Sequence, residues 1–62
     1  MAFKIAECRK EKGMTQEELA EKARVSRTII SGLESGTIKT TTTRTLSRIA
    51  DALSVRISDI FL

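Results

Sequence analysis

Two helix starts of the same design lie eleven residues apart, and no other feature of this 62-residue chain constrains its fold as tightly. At the first, Thr15-Gln16-Glu17-Glu18 fits a capping box. The threonine hydroxyl can accept from the Glu18 amide while the Glu18 carboxylate accepts from the Thr15 amide. Met14 before the cap and Leu19 four residues into the helix have the spacing of a hydrophobic staple. Ser26 repeats the device, with Val25 and Ile30 in the staple positions. Between the two starts there is room only for a short helix and a tight turn at Ala23-Arg24-Val25. A second short helix follows and stops at Gly36.

The remaining elements follow from apolar spacing. Helices are predicted over about 3–12, 16–23, 27–34, 43–53 and 58–62. Ile5 and Cys8 form the stripe of the first, which Gly13 ends in a left-handed conformation. Thr40–Thr43 is a poor helix interior, because β-branched side chains lose χ1 freedom there. It reads as a loop whose last threonines cap the fourth helix. Leu46, Ile49, Ala50 and Leu53 give that helix an i, i+3, i+4, i+7 stripe. Ser58 is expected to cap a final turn closing with Ile60, Phe61 and Leu62. The candidate core is Ile5, Cys8, Leu19, Ala20, Val25, Ile30, Leu33, Leu46, Ile49, Leu53, Val55, Ile57, Ile60 and Phe61, with Ile29 at its edge. The expected architecture is one all-α domain over 1–62, a compact bundle of about five short helices.

Composition removes several functions. With no histidine and a single cysteine, Cys8, the chain has neither a zinc site nor a disulfide. There is no Cys–base pair, no phosphate-cradling glycine loop and no metal-ligand spacing, so no catalytic residue, metal or cofactor is expected. Glu17 and Glu18 are adjacent carboxylates, but neighbours on a helix point ~100° apart. No apolar run approaches the ~20 residues of a membrane span. Nor does the N-terminus resemble a signal peptide, so a cytoplasmic protein is expected. A chain of this size buries only ~60% of its unfolded surface, which leaves its stability to packed helices.

Charge is unevenly placed. Of the net +3, residues 24–48 carry +4 and residues 15–23 carry −2, which suggests one basic face. Within residues 26–36, Ile30 and Leu33 face inward while Arg27, Thr28, Ser31, Gly32 and Ser35 are expected to face out. A helix held on its inner side fits the major groove when its outer side chains reach base edges. Arg27 suits guanine O6 and N7, and the Thr28 methyl suits a thymine methyl. The same five residues also describe an ordinary polar surface, and the pattern alone leaves both readings open.

From "CRKEKGMTQEELAEKARVSRTIISGLESG" through "TLSRIADALSVRISDIF" the chain resembles the phage repressor and Cro-like helix-turn-helix family, also called the xenobiotic-response-element (XRE) type. The resemblance implies a lambda-repressor-like bundle with its helix-turn-helix at about 15–36. It further implies a prokaryotic, sequence-specific regulator of transcription, most readily a repressor, that binds a two-fold operator on double-stranded DNA as a homodimer. Arg27, Thr28, Ser31 and Gly32 then take base-reading positions. Gln16, Ser26, Ser35, Thr37, Lys39, Thr40, Thr41 and Arg44 take phosphate-contacting ones. Arg9 and Glu34 match an ion pair between the first and third helices.

The chain departs from the family pattern at three places. Arg24 stands where glycine is common; Gly32 stands where many members carry a long polar reader. The loop before the fourth helix is a residue longer than usual and lacks the common proline. Lys10, Lys12 and Lys22 are read as solvated charges. No small-molecule ligand or membrane partner is implied, and "ISDIFL" is the expected dimer surface. Two other roles use the same fold: a DNA-binding antitoxin or restriction-system controller, and a protein-interaction module that reads no DNA.

Overall fold

The computed structural model describes residues 3–61. Its helices are α1 (Ile5–Glu11), α2 (Gln16–Ala23), α3 (Arg27–Ser35), α4 (Thr43–Leu53) and α5 (Ile57–Ile60), the all-α bundle expected from the sequence. α2 packs mainly on α3 and α4, α1 on α3 and α4, and α5 on α4. Each helix sends at least one fully buried aliphatic side chain to a shared centre: Ile5, Leu19, Ile30, Leu33, Ile49, Leu53 and Ile60. That distribution makes the bundle one cooperative core rather than a set of helix pairs.

The helix starts form as their caps dictate. The Thr15 amide donates to the Glu18 carboxylate (2.9 Å) and the Glu18 amide to the Thr15 hydroxyl (3.0 Å), completing the capping box. The Ile29 amide donates to the Ser26 hydroxyl (3.2 Å), and the Thr45 amide to that of Thr42 (3.1 Å). Each cap satisfies an amide that has no partner within its own helix, worth about 1 kcal/mol.

The helix ends share a second device. At the end of α1 the Gly13 amide donates to the Lys10 carbonyl and the Met14 amide to that of Arg9, both 3.0 Å, around a left-handed Gly13. The same paired bonds close α2 around Arg24 (φ 60°) and α4 around Ser54 (φ 58°). These are Schellman closures, which favour glycine at the left-handed residue. Two of the three lack it.

Several expectations are corrected. α1 begins at Ile5 rather than Phe3, because Phe3 is held extended in an antiparallel bridge to Phe61. There the Lys4 amide donates to the Ile60 carbonyl (2.8 Å), and the Phe3 and Phe61 rings lie 5.6 Å apart. Ser58 is not a cap: α5 starts after Arg56, whose amide donates to the Asp59 carboxylate (2.9 Å). Phe61 is exposed rather than core, and Leu62 lies outside the described residues. Cys8, Val25, Val55 and Ile57 only flank the core, whereas Ala23 and Ala52 are buried within it. Their short side chains give no clear stripe signal in the sequence.

Candidate nucleic-acid interface

α3 divides cleanly. Ile30 and Leu33 are buried against the bundle and Ile29 is half-buried, while Arg27, Thr28, Ser31 and Ser35 are exposed. Ser26 caps the helix, so Arg27 stands on its first turn, at the end that presents free amides. Arg27, Thr28, Ser31, Gly32, Ser35 and Thr37 line an open concavity of about 500 Å³. Apart from Arg27 its lining groups are all small, so another surface can come close to the helix backbone. Among the described residues the ion pairs are Arg9–Glu34 and Arg56–Asp59, which leaves Arg27 without an acidic partner there.

Gly32 does not face out as expected. It is buried, and the direction its side chain would take is filled by Ile38 of the following loop. A β-carbon at position 32 would fall 2.5 Å from Ile38 Cδ1 and 2.6 Å from Cγ1, far inside contact distance. Ile38 was missed in the sequence, although a lone aliphatic residue in a polar loop, six residues after a mid-helix glycine, is a usable signal.

The expected phosphate-contacting residues are placed less uniformly. Ser35 and Thr37 line the concavity and bond to each other through their hydroxyls (2.9 Å). Lys39 lines an adjoining hollow of about 280 Å³ with Ser35, Gly36 and Ile38. Thr40 and Arg44 are exposed and Thr41 is half-buried. The Ser26 hydroxyl accepts the cap bond and keeps its own proton to donate. Gln16, Ser26, Thr40, Thr41 and Arg44 line neither hollow.

Gln16 carries a contact that sequence reasoning did not supply. Its Nε2 donates to Glu34 Oε1 (3.0 Å), and because a carboxylate only accepts, this fixes the amide's orientation. One Nε2 hydrogen is thereby used and the other remains. Glu34 also receives Arg9, through Nε (2.8 Å) and Nη2 (3.0 Å), while Arg9 Nη1 donates to the Met14 carbonyl (2.8 Å). The expected ion pair is therefore bidentate, and it joins α1, the turn before α2, the start of α2 and the end of α3.

Arg24 belongs elsewhere. With Lys22, Ala23, Arg48, Asp51 and Ala52 it lines a hollow between α2 and α4 that shares no residue with the α3 concavity. Cys8 is half-buried; burial and the nearby Glu11, Asp59 and Glu7 carboxylates push its thiol above its ordinary value. It is therefore a thiol rather than a thiolate at neutral pH. Among the described residues no cluster of acidic, cysteine or histidine side chains could hold a metal ion, and no helix is long and apolar enough to cross a membrane.

A family model for helix-turn-helix domains matches residues 5–60, a span that contains all five helices. No curated protein matches the chain.

Proposed function

The chain belongs to the XRE-type, Cro/C1-like helix-turn-helix family of DNA-binding transcription regulators, and we propose that it is a sequence-specific repressor acting as a homodimer on a two-fold operator. The observation that carries this reading is the outer face of α3, where Arg27, without an acidic partner among the described residues, lines a concavity of small, mostly polar residues. A helix supported from behind by Ile30 and Leu33 can enter the major groove, where Arg27 donates two bonds to a guanine and Thr28 meets a thymine methyl. Ser31 lies beside them. The remaining Nε2 hydrogen of Gln16 donates to a phosphate, aided by the free amides at the start of α2. Ser26, Ser35, Thr37, Lys39, Thr40, Thr41 and Arg44 supply further backbone contacts, which set position and salt dependence rather than sequence. Gly32 is left out of the reading set.

Competition binding with specific and random duplexes tests this reading. Affinity falls as salt rises, with a logarithmic slope of about −0.9 per neutralised phosphate. Arg27→Ala narrows the gap between the two duplexes by ~1–3 kcal/mol. Equal loss on both duplexes makes Arg27 a phosphate contact only. Duplex binding that ignores salt, or its absence, contradicts the reading and favours a protein-interaction module.

A further inference from the structure

A glycine inside a helix is less favourable than alanine, so its presence in α3 asks for a cause. Backbone conformation is not the cause, because the glycines with positive φ are Gly13 and Gly36, not Gly32. What the position does hold is Ile38. The Ile38 amide donates to the Gly32 carbonyl (3.0 Å), and its side chain occupies the place of the absent β-carbon. The Ser35 hydroxyl donates to the same carbonyl (3.3 Å) and is bonded to Thr37. Loop and helix therefore meet at the Gly32 peptide group, joined by the Ile38 hydrogen bond and one aliphatic contact, while Ser35 at the end of α3 links the same carbonyl to Thr37.

We infer that Gly32 and Ile38 form a latch that seats the 37–41 loop against α3, which makes Gly32 a positioning residue for the loop's DNA contacts. A side chain at position 32 points into Ile38 rather than outward. The clash is not confined to a flexible tip, since Ile38 Cβ itself would lie 3.2 Å from the new carbon. Isoleucine is β-branched and stiff at χ1, so relief comes by moving the loop backbone. Thr37 and Lys39, which flank Ile38, move with it. Arg27 and Thr28, a turn earlier on α3, do not. This inference rests on the DNA-binding reading for its functional consequence and on geometry alone for the latch.

The test is a double-mutant cycle of Gly32→Ala and Ile38→Ala in the whole chain. Binding to the duplex selected by the wild type and to random duplex is followed, together with hydrogen exchange at the residue 38 amide. With Ile38 in place, Gly32→Ala weakens both duplexes by about tenfold and speeds exchange by a similar factor; in the Ile38→Ala background, both effects shrink to about twofold or less. If DNA instead approaches the Gly32 backbone directly, Gly32→Ala costs the selected duplex more than random DNA and costs the same in both backgrounds. That outcome overturns the latch, as does unchanged exchange. Should Gly32→Ala fail to fold, recovery of folding in the double variant supports the latch and failure of both contradicts it. A wild type that binds no duplex removes the DNA reading, while the exchange cycle still decides the latch.

Discussion

Segments far apart in the chain meet at the carboxylate of Glu34, which accepts from Arg9 twice and from Gln16 once. The Arg9 and Glu34 side chains are only 12% and 7% exposed, so this pair is shielded from solvent in a way that Arg56–Asp59 (87% and 46%) is not. The pair is half-buried, so removing one partner strands the other at less than the ~3–5 kcal/mol of a fully buried pair. Burial works to raise the Glu34 carboxyl, but the bonds from Arg9 and Gln16 and the positive charges nearby outweigh it and hold it below the ordinary glutamate value. A carboxylate depressed on folding stabilises the fold above its unfolded value, roughly 4.3 for glutamate. That contribution is lost as pH falls through the lower folded value. Urea unfolding should therefore show Glu34→Gln well below the wild type at neutral pH, with the two converging in acid. Parallel profiles would assign the acid sensitivity to other carboxylates. The Arg9–Glu34 pair was legible from the family pattern. The Gln16 bond was not, because a glutamine at a helix start carries no mark of which neighbour its amide faces.

At the level of elements, starts were more legible than ends. Thr15, Ser26 and Thr42 cap as their side-chain chemistry requires, since a cap acts within four residues of chain. Phe3 and Ser58 depart from the local pattern because a non-local contact decides the first and a neighbouring carboxylate the second. Phe3 is drawn to Phe61, and α5 starts one residue early, where Asp59 reaches the Arg56 amide. The left-handed residues are a further case. Arg24 and Ser54 adopt a conformation costing a side chain roughly 1–2 kcal/mol, partly offset by the greater freedom that glycine has in the unfolded chain. Arg24→Gly and Ser54→Gly should each stabilise the fold by about 1 kcal/mol, read as a rise in Tm of ~4–8 °C. Gly13→Ala, at φ 70° with open space around it, should lower Tm through backbone strain alone. A fall in Tm for Arg24→Gly would mean that the Arg24 side chain stabilises the hollow between α2 and α4.

The described residues span 24 × 22 × 19 Å, shorter in every direction than the ~34 Å between successive major grooves on one face of DNA. One copy can present α3 to one groove, and reading a two-fold operator requires a second. Among the described residues the exposed large apolar side chain is Phe61, 42% exposed with its ring tilted against that of Phe3, and the proposed dimer would use it. Sedimentation should show self-association that Phe61→Ser weakens without loss of helicity; a strict monomer with and without DNA would contradict a dimer. The most direct test of duplex reading by α3 is selection of bound sequences from a random duplex pool, with the wild type and Arg27→Ala in parallel. The wild type should enrich a two-fold motif with half-sites about 10–10.5 base pairs apart, centre to centre, and Arg27→Ala should lose the preference at one base pair in each half. No enriched sequence, or the same motif from both proteins, would contradict it.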